Sequence, residues 1–458
     1  MLLSSMTPAR FRPSRLDNIE YLEDYRPGGF LPVSIGDVLA QGRYRVVHKL
    51  GFGGASTIWL GRNQAGELVT MKVIGAEASS KYADEIPELA VPQKLSEYVQ
   101  ANPPLAPPNI QTLKDHFKEN GPSGSHLCLV YDLCGPSILS MSDSPGRVAG
   151  NRRLRSDLAR KVAMQVASVV KLMHTAGYVH GGSWSLSRKR AGLSLQNIHF
   201  SDLTTSNILF RIADNVKSWS DSEVYLNFGH PETETMATRD HSPLGIHVPA
   251  HLVAPIDNAL LTNPNLLQEE IVVIDFGQSF CMSRLPTDYE PATVPHYLSP
   301  EARFEGNIGA PSDIWALGCT IFEIRAGFPI FETFFGGDDE VLMQTVATLG
   351  KLPLPWWNAF ENRHLWFDEQ GIPKTEELQK VLLHTEKTSI IQKLATIGTD
   401  DVPPVTGDDG PMMEPRGTRL DEREIELLGD LLQKMLRYRP QDRISITDVI
   451  SHPWFTFK

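Results

Sequence analysis

The sequence predicts an α+β molecule of two lobes, a small β-rich amino-terminal lobe and a larger, mainly helical carboxy-terminal one. At 458 residues the chain is long enough for two separate cores. Near its start, alternating apolar residues flank a glycine cluster, which reads as strand, turn, strand. Further on, acids and an amide stand at the ends of apolar runs. Asp202-Leu203-Thr204-Thr205-Ser206-Asn207 leads into Ile208-Leu209-Phe210, and Ile271-Val272-Val273-Ile274 leads into Asp275-Phe276-Gly277.

Bulk properties narrow the function classes. Composition is 41% hydrophobic and 21% charged, ordinary for a globular protein. The net charge of −12 argues against direct binding to nucleic acid or anionic membrane and favours basic protein partners. Four cysteines (Cys128, Cys134, Cys281, Cys319) lie singly in or beside apolar runs and read as core thiols of a reducing compartment, cytoplasmic or nuclear. No run of about 18 apolar residues offers a membrane span. The first sixteen residues lack acids and carry Arg10, Arg12 and Arg15, a composition compatible with a mitochondrial presequence. A short disordered lead is the preferred reading.

Taken in order, Gly42 to Leu60 reads GRYRVVHKLGFGGASTIWL. Leu50, Gly51, Phe52, Gly53, Gly54, Ala55, Ser56 and Ile58 form a turn whose backbone can lie over phosphates, with Ser56 where a third glycine is usual. Lys72 follows in the apolar strand Val69-Thr70-Met71-Lys72-Val73, placed to reach phosphates if a carboxylate holds it. A helix expected over Ser80 to Val91 offers Glu85 and Glu88, one turn apart. Pro87 is expected to disturb that helix, and Glu85 is chosen. Leu127 to Gly135 reads as a buried strand ending in a hinge, where Asp132 and Cys134 would meet an adenine edge and Tyr131 would close the back. Leu154 to Ala176 carries apolar residues at helical spacing and leads into Gly177-Tyr178-Val179-His180-Gly181.

An acid and an amide on one strand end, with a second acid on another, suit holding divalent metal on a phosphate while a hydroxyl is oriented. From these motifs the chain resembles a eukaryotic protein kinase, and in particular the SR-protein kinase family and its fungal relatives. Tyr21 to Phe30, Ile35-Gly36-Asp37, Ser299-Pro300-Glu301, Asp313 to Cys319, Arg443 and His452 to Phe455 carry the likeness in the same order. The resemblance implies a two-lobed kinase fold: an extension at 1–43, an amino-terminal lobe and hinge at 44–134, and a carboxy-terminal lobe at 135–458. It implies transfer of the ATP γ-phosphate to protein Ser/Thr hydroxyls. Asp202 would accept the proton, Asn207 and Asp275 would hold magnesium, and Lys72 with Glu85 would position the phosphates. Arg443 would pair with Glu301. The insert over 211–270 is expected to be loop, and Asp338-Asp339-Glu340 an exposed acidic rim for arginine-serine substrates.

Departures matter too. Gly182 to Ser201 separates His180-Gly181 from Asp202, which should be adjacent. Closing a loop of this length costs roughly 3 kcal/mol. Removing it restores Val179-His180-Gly181-Asp202-Leu203, and the genetic code permits the segment to be a retained intron; a genuine insertion is the alternative. Gly181 replaces the usual arginine, so activity should not need activation-loop phosphorylation. Thr204 replaces the usual lysine, which puts the rate in question. Thr204 and the insertion favour the rival reading of a pseudokinase scaffold.

Overall fold

Apolar alternation builds the amino-terminal sheet. The computed structural model describes residues 9–80, 86–103, 109–143, 152–181, 203–284, 294–334, 337–379, 381–399, 401 and 410–457. Six antiparallel strands, β1 (Val38–Leu39), β2 (Tyr44–Gly53), β3 (Ser56–Asn63), β4 (Leu68–Ile74), β5 (Leu113–Gly121) and β6 (Gly124–Asp132), lie in the order β1-β2-β3-β4-β6-β5. The sheet therefore begins at Val38, ahead of the boundary expected at residue 44.

Period-two alternation sorts the two faces. Met71, Val73, Cys128 and Val130 face one buried cluster with Val46, Trp59 and Val253. Ile74, Leu127, Leu129 and Tyr131 face a second cluster, completed by Leu89 of the helix Pro87–Ala101. Lys72 pairs in register with Leu129, so it shares the helix-facing side. That helix starts at Pro87 and not at Ser80. Pro87 sits at the first helical position, where a missing N–H costs nothing and φ is already set. Proline thus opens the helix where it was expected to disturb it.

The carboxy-terminal core forms around the helices Ser156–Thr175, Ala310–Ala326 and Glu422–Met435. On it lie β7 (Cys134–Ser137), β8 (Tyr178–Val179), β9 (Ile208–Ile212), β12 (Leu267–Val273) and β13 (Phe280–Cys281), pairing as β12-β9-β7 and β13-β8. The hinge expected as one strand over 127–135 divides into β6 and β7, with buried Leu133 between them.

The segment between β9 and β12 is not the loop its Pro/His/Thr-rich middle implied. It holds the helix Asp221–Phe228, capped by Ser220, and a hairpin of β10 (Thr233–Thr235) and β11 (His251–Val253). Val224 and Phe228 pack with Val47, Leu60 and Leu68 of the sheet. Asp221 bonds Arg45 at 2.7 Å and Arg62 at 2.8 Å. Apolar residues spaced among the polar ones fasten the segment to the amino-terminal lobe, and no separate core is needed.

Among the described residues no helix is long and apolar enough to cross a membrane. All four cysteines are free thiols.

Candidate active site

β2 and β3 close the glycine loop with Gly53 opposite Ser56 and Gly51 opposite Ile58. A side chain placed on Gly51 would meet nothing within 4 Å, so the backbone there faces open space in which phosphates can approach. Beneath it, Lys72 Nζ donates to Glu88 Oε1 at 2.5 Å and lies 3.9 Å from Asp275 Oδ1. Among the described residues, Glu88 is the partner of Lys72. Residue 85 lies outside the described residues. The physical reason is the helix start: opening at Pro87 puts Glu88 in the first turn, facing the sheet.

Electrostatics agree with the geometry. Burial disfavours the Lys72 charge, but the Glu88 and Asp275 carboxylates outweigh it, and its pKa is raised. Tyr131 stands next to the end of β6, behind this group. Its pKa is raised well above the usual value, first by burial and then by the carboxylates of Glu88 and Asp275. Among the described residues the Tyr131 hydroxyl is buried without a hydrogen-bond partner. At the hinge, Lys114 pairs with Asp132 at 2.6 Å, and burial pushes the Cys134 thiol up to about 11.

Asn207 immediately precedes β9, and Asp275 follows β12 by two residues. β9 and β12 pair antiparallel, Ile208 opposite Val273, and Ile274 N donates to Asn207 O at 2.9 Å. Asp275 has φ +63°, a left-handed conformation that a non-glycine residue holds only where its surroundings enforce it. Asp202 lies outside the described residues, as does all of 182–201.

Both flanks of that stretch are anchored on one helix, Ala310–Ala326. The Asp313 carboxylate accepts from His180 N at 2.9 Å and Gly181 N at 3.2 Å, and meets His174 Nε2 at 2.9 Å. Seven residues on, Thr320 Oγ1 donates to Leu203 O at 2.6 Å. His180 packs on Phe276, ring centres 5.5 Å apart, and Ser279 Oγ donates to its carbonyl at 2.9 Å. Asp313 and Thr320 have roles that motif reading did not assign. An acid and a threonine in the otherwise apolar stretch Asp313 to Phe322 were the available signal.

Arg443 forms a two-pronged pair with Glu301, at 2.7 and 2.6 Å, with its guanidinium over Trp315. The acidic rim is only partly a rim. Asp338 pairs with Arg303 at 2.9 Å, and Asp339 accepts from Asn362 at 2.6 Å. Glu340 is buried and accepts from Phe334 N at 2.8 Å. Capping the preceding turn claims that carboxylate.

Fold and site together define a protein kinase. A protein kinase domain model matches residues 256–455. Protein kinase dsk1 of Schizosaccharomyces pombe is 26% identical over 397 residues, 73% of this chain and 71% of that protein. Serine/threonine-protein kinase SRPK of Physarum polycephalum is 23% identical over 445 residues, 95% and 91% of the two chains. SRSF protein kinase 3 of mouse is 37% identical over 148 residues, 30% of this chain and 25% of that protein. The chain is similar to the SRPK-like eukaryotic protein kinases over most of its length and is a serine/threonine protein kinase. Nothing in these comparisons favours the pseudokinase reading.

Proposed function

We propose that the chain transfers the γ-phosphate of magnesium-ATP to Ser/Thr hydroxyls in basic, arginine-serine-rich protein segments. The observation that carries the chemistry is Lys72 held by Glu88 with Asp275 beside it. The donor set suits magnesium, which takes one or two protein oxygens and completes its shell with phosphate and water. Asn207 and Asp275 would hold the ion, and it would neutralise charge on the phosphates. Lys72 orients the phosphates, Gly51 to Gly54 cover them, and Asp132 and Cys134 offer backbone groups to the adenine edge. Asp202 accepts the hydroxyl proton.

The substrate class draws on two supports. The chain carries a net charge of −12, and SRSF protein kinase 3 is named for its protein substrate. Asp338 and Asp339 supply part of the field, each already engaged on one side. Rates on an arginine-serine repeat peptide should exceed those on an acidic serine peptide of equal length, and the gap should narrow in high salt. Equal rates, or preference for the acidic peptide, would remove the substrate assignment and leave the transfer chemistry standing.

A further inference from the structure

Two segments that the transfer chemistry does not use meet on β2 just ahead of the glycine loop. Glu20, in the amino-terminal extension, accepts from Lys49 Nζ, and the two side chains are 1% and 0% exposed. Tyr25 OH donates to the other oxygen of the same carboxylate at 2.5 Å. Lys49 Nζ also donates to Val253 O at 3.0 Å, and Lys49 O accepts from Ile256 N at 2.9 Å. The insert thus grips Lys49 by side chain and backbone together, while the extension supplies its counter-charge. Extension and insert also hold each other, through Arg12 N to Ala237 O at 2.9 Å and a shared cluster of Phe11, Tyr25, Phe30, Met236 and Leu252.

The place of this grip matters. The pairing of β2 with β3 slips by one residue between Lys49 and Gly51: Lys49 lies opposite Trp59, and Gly51 opposite Ile58. An extra residue in one strand bends it and re-aims the residues beyond the bend. Lys49 is fixed on the upstream side of that irregularity, and the phosphate-facing backbone of Gly51 lies on the other. A fully buried ion pair is weak as a source of stability, because desolvating both charges offsets their attraction, yet it fixes geometry closely.

We propose that the Glu20–Lys49 pair positions the glycine loop, so that extension and insert together set how the loop meets the phosphates of a bound nucleotide. This rests on the reading of Gly51 to Gly54 as the phosphate cover. The pair touches no reacting atom, and it acts through β2. Its loss should be felt by the phosphates and not by the base, which binds at the hinge.

The test uses the full chain and two ligands, magnesium-ATP and adenosine. Lys49→Met alone strands a buried carboxylate and will lose stability, so the informative variant is Glu20→Gln with Lys49→Met, which removes both charges at similar volume. Its adenosine affinity should stay within about twofold. Its magnesium-ATP affinity should fall about tenfold, with KM for ATP rising in step and kcat changing less. Lys49→Arg, which keeps the pair, should retain most of the ATP affinity. An unchanged ratio of ATP to adenosine affinity in the double variant overturns this inference alone, as does an equal loss for both ligands. A native chain that binds the two ligands equally well overturns the phosphate-cover reading and the inference with it.

Discussion

Lys72 is a cation whose charge survives burial only because two carboxylates face it, so its role depends on which acids they are. Glu88 and Asp275 fill those places. Glu88→Gln keeps the shape and removes the charge, and should lower kcat/KM about a hundredfold. Glu85→Gln should stay within about twofold, and steady-state kinetics on the two variants checks which acid holds Lys72. His48 makes a separate prediction, about stability. Its Nδ1 lies 2.8 Å from Lys49 N and 3.2 Å from Lys49 O, and the ring is buried. Burial pushes its pKa from 6.5 down to about 4, against the pull of the Lys49 and Gly229 backbone. The unfolded chain therefore binds a proton below pH 6.5 that the folded chain refuses. The stabilising contribution is full above that pH and lost as pH falls toward 4, by about 3 kcal/mol in all. Melting curves of His48→Gln should show a flatter fall over this window than those of the native chain.

At the scale of elements, the described residues on either side of 182–202 are tied to one helix. Asp313 holds the residues before it, and Thr320, two turns along and about 10 Å away, holds the residue after it. The flanks are thus tied independently of what lies between them. Deleting Gly182 to Ser201 should then leave the flanks in place, preserve folding, and raise activity well above that of the full chain, since placement errors near 1 Å can cost about a hundredfold. Equal activity of the two forms in a peptide assay would show that the insertion is tolerated. The strands around the cleft were legible in the sequence because β3, β4 and β6 carry short, largely apolar runs, and because Lys72 interrupts such a run, Asn207 precedes one and Asp275 follows one. Other features left weaker traces. The choice between Glu85 and Glu88 turned on whether Pro87 breaks a helix or begins one, which depends on position and not on residue type. The folding of the insert depended on surfaces far away in sequence: Asp221 finds Arg45 and Arg62, and Val253 finds the outer face of the sheet. The fate of Glu340 likewise rested on a turn at Phe334 that composition does not reveal.

Across the whole molecule, the insert leaves the site directly after the strand that follows Asn207 and returns through the strand that precedes Asp275. Between those ends it covers the amino-terminal lobe and meets the extension. The candidate metal ligands and the glycine loop are thus joined by one continuous segment as well as by the hinge. Glycine at position 181 has φ of +68°, which suits it to the bend there. The account's central claim is that the Lys72–Glu88–Asp275 group serves phosphoryl transfer with Asp202 as the proton acceptor. It is tested most directly by following transfer of labelled γ-phosphate from magnesium-ATP to a basic serine peptide, with the full chain and with Asp202→Asn. The account predicts magnesium-dependent transfer by the native chain and a loss of at least about a hundredfold in the variant, which should still bind magnesium-ATP. Equal transfer by the two proteins, or none by the native chain, would contradict it.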